Sequence, residues 1–289
     1  MLRGIFERDS VWVKLVFIIL IPLIFGIFFT VLNYGVLSLF DITDEITSLK
    51  FTQFFSALGM FICAPLLLAY LFSSGSVRQF LSFRKPDATV LIMAILSMLV
   101  AIPMINFIGE LNNQITLPEA LKPVEELLRA YEEKLAELTI SFLTSGDSFE
   151  VLLSNLLILA IIPALGEELL FRGVIQSSIS PANKLRAVWI TAFLFSVVHF
   201  QFYGFIPRLL LGAYLGYLLI WSKSIWVPVA AHFTNNVIIV LFYFFVGEKN
   251  SDFDLETVGT AGSSPFWIIG SVLLFALFTG VIWKIIKRC

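Results

Sequence analysis

Residues 151–178 read VLLSNLLILAIIPALGEELLFRGVIQSS, and this stretch decides the fold class. It is longer than the roughly 20 apolar residues that a helix needs to cross a bilayer. Its only charged residues are Glu167, Glu168 and Arg172, so the stretch is interpreted as a membrane-spanning helix that contains ionisable groups. Because a charge at the bilayer centre costs about 2.5–3.5 kcal/mol on insertion scales, such groups usually face one another and serve a function.

The rest of the chain has the same apolar character. Hydrophobic residues make up 58% of the 289 residues and charged residues 14%, whereas soluble domains carry about 25% charged residues. We therefore predict an all-α fold, a polytopic integral membrane bundle of about eight transmembrane helices in a single domain over 1–289. The predicted segments are 12–38, 51–74, 88–109, 151–178, 184–200, 203–222, 226–247 and 265–284.

Basic residues are distributed unevenly among the loops. When both termini are placed in the cytoplasm, most of the 19 Lys and Arg residues fall in the inner loops and ends. This distribution follows the positive-inside rule. We therefore expect a multi-pass protein of a prokaryotic plasma membrane with both termini cytoplasmic.

The acidic stretch 110–150, on the predicted outer side, contains one apolar stripe. Leu121, Val124 and Leu128 begin a series that recurs at steps of three and four, which is typical of an amphipathic helix. We predict an extracytoplasmic amphipathic helix over 115–140. The pattern fits a surface helix packed on the bundle, and it also fits an element that gates a substrate or binds a partner.

Polar residues of neighbouring segments are predicted to lie at one depth. If 151–178 and 184–200 form an antiparallel hairpin, Glu167 lies about 22 Å and His199 about 25 Å from the turn, at 1.5 Å per residue. The two side chains would then lie at nearly the same level of the membrane.

The second of the two histidines in the chain, His232, is followed one helical turn later by Asn236. Both lie roughly 12–20 Å beyond an inner turn. Taken singly, a membrane histidine or asparagine is more often a packed, hydrogen-bonded residue than a catalytic one. The shared depth nevertheless predicts that Glu167, His199, His232 and Asn236 line one cavity in the middle or inner half of the membrane.

Glu168 and Arg172 are spaced i,i+4 and can pair on one face of a helix. We expect a helix-stabilising ion pair that neutralises Glu168. Glu167 would then point about 100° away, toward the cavity. Phe195 stands in the same i,i+4 relation to His199.

Three short patterns occur in order on successive segments. They are E-E-x-x-x-R at 167–172, F-x-x-x-H at 195–199 and H-x-x-x-N at 232–236. At these residues the chain resembles the CAAX-protease and bacteriocin-processing family, the Abi or CPBP membrane proteases that include Rce1-type prenyl-protein proteases. The resemblance covers about 160–240 and implies a catalytic four-helix core, here 151–247.

The resemblance implies an intramembrane endopeptidase that hydrolyses a peptide bond. It makes Glu167 the general base for a water molecule, and it makes His199 the residue that holds and activates that water. His232 and Asn236 would stabilise the oxyanion. The supporting residues would be Glu168, Arg172 and Phe195.

Two histidines and one glutamate also match a zinc site. Glu167, His199 and His232 could hold the ion, with water as the fourth ligand. No H-E-x-x-H helix places two of these ligands on one face, however. We favour a mechanism without a cofactor, and the zinc-dependent protease is the alternative.

Two further function classes fit the same residues. An immunity or scaffold protein could use the polar cluster only to join helices, and a proton-coupled carrier could use it as a relay. The intact set of motifs and the absence of an internal repeat favour the protease. The expected partners are a membrane-associated peptide or protein substrate and the lipid bilayer. Nucleic acid is not expected, because no basic patch with interleaved aromatic residues occurs.

Overall fold

The structure is a computed structural model that describes residues 2–180, 182–247 and 255–288, and within these ranges the regular elements are helices. Seven helices of the described residues are long and apolar enough to cross a membrane, and Lys122–Leu143 and Lys184–Val197 are not among them. The prediction of an all-helical, multi-pass membrane protein is confirmed. The helices are α1 (Val11–Leu39), α2 (Glu45–Phe72), α3 (Ala88–Asn113), α4 (Lys122–Leu143), α5 (Phe149–Ile179), α6 (Lys184–Val197), α7 (Phe205–Ser222), α8 (Trp226–Phe245) and α9 (Pro265–Ile286).

Contacts near the ends of helices define the two ends of the bundle. At one end, Lys50 near the start of α2 donates to the hydroxyl of Ser145 just after α4, at 2.8 Å. At the other end, the Ser224 hydroxyl before α8 donates to the carbonyl of Arg84 before α3. We call these the α4 end and the opposite end. The charge pattern predicts that the α4 end is extracytoplasmic.

Helix α6 is shorter than the predicted segment 184–200. It has 14 residues and ends at Val197, which corresponds to about 21 Å at 1.5 Å per residue. The chain then turns, and Phe200 adopts a φ of +53°. A left-handed residue directly after a helix stops its propagation, so His199 lies in a turn and not within a helix.

Helix α5 contains two π-helical stretches, Leu156–Ile161 and Glu168–Ile175. The first ends just before Pro163. Because proline has no N–H and its ring crowds the carbonyl four residues earlier, a wider turn at this point relieves the clash. The second stretch contains no proline and is buried throughout. It covers most of the E-E-x-x-x-R motif, and π-helical turns are frequent at functional sites.

Glycines allow close approach where α2 packs against its neighbours. A Cβ on Gly166 of α5 would lie 2.5 Å from the Cβ of Phe61, and a Cβ on Gly59 would lie 2.6 Å from the carbonyl oxygen of Phe25. Small residues serve this purpose at crossings of membrane helices. Helix α2 therefore lies directly against the part of α5 that precedes Glu167.

The amphipathic helix predicted over 115–140 is observed as α4, Lys122–Leu143, and it docks on the turn that follows His199. Glu132 of α4 accepts a hydrogen bond from the Tyr203 backbone N–H at 3.0 Å. The Arg129 guanidinium lies 3.8 Å from the centre of the Tyr203 ring. Helix α4 is thus fixed to the α6–α7 connection.

Candidate active site

Two adjacent carboxylates of α5 approach one imidazole of α8. Oε2 of Glu167 is 3.9 Å from Nε2 of His232, and Oε1 of Glu168 is 2.9 Å from Nδ1. The side chains of Glu167 and His232 are 16% and 6% exposed. Each nitrogen of the ring therefore has a carboxylate on its side.

The expected ion pair between Glu168 and Arg172 is present. Nη1 of Arg172 donates to Oε1 of Glu168 at 2.7 Å, and both side chains are fully buried. Nη2 of Arg172 donates to the carbonyl of Gly212 in α7 at 2.9 Å. The same Glu168 oxygen also contacts His232, a link that the sequence did not predict. The carboxylate accepts the hydrogen of Nδ1 and thereby orients the ring.

His199 lies just beyond the end of α6, with its Nδ1 2.6 Å from the carbonyl oxygen of Phe195. Carbonyls in the last turn of a helix lack helical partners, and a histidine side chain can supply one. Because a carbonyl only accepts, Nδ1 carries the hydrogen, and Nε2 keeps its lone pair. His199 interacts electrostatically with Glu167 and His232, and its ring packs on the same Phe195 side chain as the ring of His232.

Phe195 packs against three of these polar groups. Its ring centre lies 5.0 Å from that of His199 and 6.0 Å from that of His232. The Arg172 guanidinium carbon lies 4.6 Å from the same ring centre, within cation–π range. Phe195 is 2% exposed, so it forms an apolar wall that holds both imidazoles in place.

Asn236 follows His232 by one turn on α8. Among the described residues, its Oδ1 accepts from Nδ2 of Asn235 at 3.3 Å, and no side-chain hydrogen bond links it to Glu167, His199 or His232. The structure therefore brings Glu167, His199 and His232 together, whereas Asn236 is placed only one turn along α8 from His232.

A zinc ion would require Glu167, His199 and His232 to converge on one point. Within 2–180, 182–247 and 255–288, no group of three or more His, Cys, Asp and Glu side chains is arranged to hold a metal ion. The Nδ1 atoms of His199 and His232 are hydrogen-bonded to a carbonyl and a carboxylate, which leaves their Nε2 atoms available, as in many zinc-binding histidines.

The helices that carry the three motifs match a known protein family. Residues 149–238 match the family model described as type II CAAX prenyl endopeptidase Rce1-like. This segment is therefore similar to the Rce1-like family. It runs from the start of α5 into α8 and contains all three motifs, so the family resemblance predicted from them is confirmed. The family is one of membrane endopeptidases of the CAAX and Abi type.

One curated relative is the "Uncharacterized protein YpbD" of Bacillus subtilis (strain 168). It is 29% identical over 115 residues, which cover 38% of this chain and 57% of the relative. The match thus spans little more than half the length of that protein. No solved structure matches this chain.

Proposed function

We propose that this protein is an intramembrane endopeptidase of the CAAX-processing or Abi type that uses a water molecule activated by Glu167. The observation that carries the proposal is the 3.9 Å approach of the Glu167 carboxylate to His232, within a segment that matches an endopeptidase family. Glu167 is 16% exposed while Glu168 is fully buried. Glu167 is therefore the carboxylate that water and substrate can reach.

His199 complements Glu167 in positioning the water. With Nδ1–H bonded to the Phe195 carbonyl, Nε2 of His199 accepts one hydrogen of the water, and Glu167 accepts the other. The water oxygen then attacks the peptide carbonyl carbon while its proton passes to Glu167. Glu167 returns this proton to the amine as the C–N bond breaks, as a general base that becomes a general acid.

His232 is suited to stabilise the negative oxygen of the tetrahedral intermediate. In this proposal His232 is an imidazolium with one N–H toward each glutamate. Glu168 supports the imidazolium through Nδ1, as the buried carboxylate does in a Ser-His-Asp triad. The Nε2–H is then directed to the side of Glu167, where the oxyanion forms. Asn236 supplies a second donor when its amide turns from Asn235 to the substrate.

The catalytic core is proposed to be 151–247 within a single membrane domain, and the substrate a membrane-associated peptide or protein. Loops at the opposite end are rich in Lys and Arg, which supports cytoplasmic termini in a prokaryotic plasma membrane. The substrate would enter from the cytoplasmic side or laterally from the lipid.

The assignment is tested by the substitution Glu167→Gln, which keeps the size of the side chain and removes its basicity. We expect proteolysis to fall by about 10²–10⁴-fold, the usual contribution of a general base. The measurement is comparative peptide profiling of membranes that contain the wild type or the variant. Glu137→Gln, on the exposed face of α4, is the matched control and should cleave normally.

Cleavage by Glu167→Gln at the wild-type rate would refute the assignment. The non-catalytic alternative makes a different prediction, namely lower thermal stability of the variant with the same peptides in both membranes. Substrate-dependent proton flux in liposomes would instead support the carrier.

We also propose that the reaction needs no metal ion. Purified protein should retain its activity after treatment with a strong zinc chelator, because Glu167 and His199 suffice to position the water. Zinc content is measured by elemental mass spectrometry of the same sample. Stoichiometric zinc, together with loss of activity on chelation and recovery on zinc addition, would replace this mechanism by the zinc-dependent one.

A further inference from the structure

A cavity lies at the α4 end, between α2 and α5. Its volume is about 650 Å³, within the range of roughly 300–1,000 Å³ typical of ligand sites. Its walls are mainly apolar and include Phe51, Phe54 and Phe55 of α2 and Ile158 of α5. Ile158 is about 14 Å along the helix axis from Glu167, so the cavity is separate from the candidate active site.

The cavity contains one buried cation, Lys50, which is only 7% exposed. Its Nζ donates to the hydroxyls of Ser145 at 2.8 Å and Ser154 at 3.4 Å. Among the described ion pairs none involves Lys50. Hydroxyl groups solvate an ammonium but do not neutralise it, and a buried charge without a counter-charge is costly. The site therefore favours a ligand that brings a negative charge to this point.

Carboxylates occupy the rim of the same cavity. Asp44 and Glu150 line it, and both residues are exposed. Asp44 also caps α2, accepting from the Thr47 N–H at 2.8 Å, and interacts electrostatically with Lys50. The cation therefore lies inside the cavity, the carboxylates lie at its rim, and apolar side chains form its walls.

We propose that this cavity binds one phospholipid with a phosphoethanolamine headgroup. The lipid phosphate pairs with Lys50 and the two serine hydroxyls, and its ammonium donates to Asp44 and Glu150 at the rim. An acyl chain lies along the phenylalanines of α2. Lys50 is about 8 Å into the span that begins at Glu45, which is the level of lipid headgroups in a bilayer.

The charge order selects this headgroup over other common ones. A headgroup with only negative charge would meet the rim carboxylates and be repelled. Choline carries a cation without an N–H group and cannot form charge-assisted hydrogen bonds to them. Only a headgroup with an anion followed by a hydrogen-bonding cation satisfies both parts of the site.

The test uses the purified full-length protein in detergent after removal of bound lipid. Phosphatidylethanolamine, phosphatidylcholine and phosphatidylglycerol with identical acyl chains are added in turn. Bound lipid is counted by native mass spectrometry, and the unfolding temperature is measured. We expect one retained phosphatidylethanolamine per chain, with an affinity about tenfold or more above that of the other two lipids.

Lys50→Met should lose this preference. Because the substitution removes a buried charge that no described ion pair neutralises, we expect the lipid-free variant to unfold at the same temperature as the wild type or higher. Lys134→Met, which removes an exposed lysine of α4, is the matched control and should bind lipid normally. If Lys50 were only a structural tether, Lys50→Met would lower the unfolding temperature equally with and without lipid.

A second variant tests the rim independently of Lys50. Asp44→Asn combined with Glu150→Gln keeps a helix-capping residue and should reduce phosphatidylethanolamine binding to the phosphatidylcholine level. The proposal is overturned if the wild type binds the three lipids equally or if either variant binds phosphatidylethanolamine normally. Equal binding of water-soluble phosphoethanolamine would overturn the assignment to a lipid.

Discussion

At the scale of single residues, Glu168 joins two helices through one oxygen. Its Oε1 accepts from Arg172 of the same helix at 2.7 Å and from His232 of α8 at 2.9 Å. A buried carboxylate in this position neutralises a cation and orients an imidazole. Its contribution to stability and its contribution to catalysis can therefore be separated by mutation.

Glu168→Gln should destabilise the protein by about 3–5 kcal/mol, because it leaves the buried Arg172 without a counter-charge. Activity should fall as well, because His232 loses the carboxylate that orients its ring and supports the proposed imidazolium. Unfolding in denaturing detergent and peptide cleavage are the two measurements. Glu126→Gln, on exposed α4 surface, is the control.

The double variant Glu168→Met with Arg172→Met separates the two effects. Replacing a buried ion pair by apolar side chains of similar volume is often neutral for stability. We expect this variant to recover the stability lost in Glu168→Gln and to remain inactive. Recovery of both properties would show that Glu168 does not act through His232.

The sequence predicted some of these contacts and not others, for a geometric reason. The Glu168–Arg172 pair depends only on helical spacing within α5, so it could be predicted. The approach of Glu167 to His232 followed from similar depths in the membrane. The Glu168–His232 bond depends on the rotation of α8 about its axis relative to α5, which hydrophobic patterning does not determine. Likewise, the position of His199 in a turn depends on the left-handed Phe200.

At the scale of elements, the position of Glu167 depends on how closely α5 packs against α2. Gly166 leaves no space for a side chain, since its Cβ would lie 2.5 Å from the Cβ of Phe61 and 3.1 Å from its carbonyl oxygen. Part of this contact is backbone, which cannot move aside by a change of rotamer. The crossing of the two helices therefore fixes the residue next to Glu167.

Gly166→Ala should push α5 away from α2 and lower both stability and activity. Overpacking of this kind costs about 1–3 kcal/mol, and the displacement is transmitted directly to Glu167. Gly109→Ala in α3 is the matched control, because a Cβ at that position meets nothing within 4 Å. Unfolding and cleavage assays on both variants check the prediction, which fails if the two behave alike.

At the scale of the whole molecule, α4 connects the α3–α4 loop to the turn after His199. Glu125 accepts from the Leu117 backbone N–H at 2.9 Å and from Arg129 at 3.0 Å. The hydrogen bond from Leu117, followed by the one from Arg129, lowers the pKa of the Glu125 carboxyl below its usual value. Ionised Glu125 thus favours the docked position of α4.

This shift predicts how the docking of α4 depends on pH. A lowered pKa in the folded state means that the stabilisation is complete above the ordinary glutamate pKa of about 4.3 and is lost as the pH falls through the lower value. Hydrogen exchange of residues 117–143, corrected for its intrinsic pH dependence, should therefore quicken in acid. Glu125→Gln should show fast exchange at neutral pH as well, whereas Glu137→Gln should behave like the wild type. Protection that does not change with pH would contradict the prediction.

The ion pair within α5 also matters while the protein is synthesised and inserted into the membrane. The later partners of this pair, Gly212 of α7 and His232 of α8, leave the ribosome after α5 has been synthesised. Until then, Glu168 and Arg172 can neutralise each other without help from any other part of the chain, because they lie one turn apart on the same helix. The pair thus allows the translocon to release a helix with a buried guanidinium into lipid before the rest of the site exists.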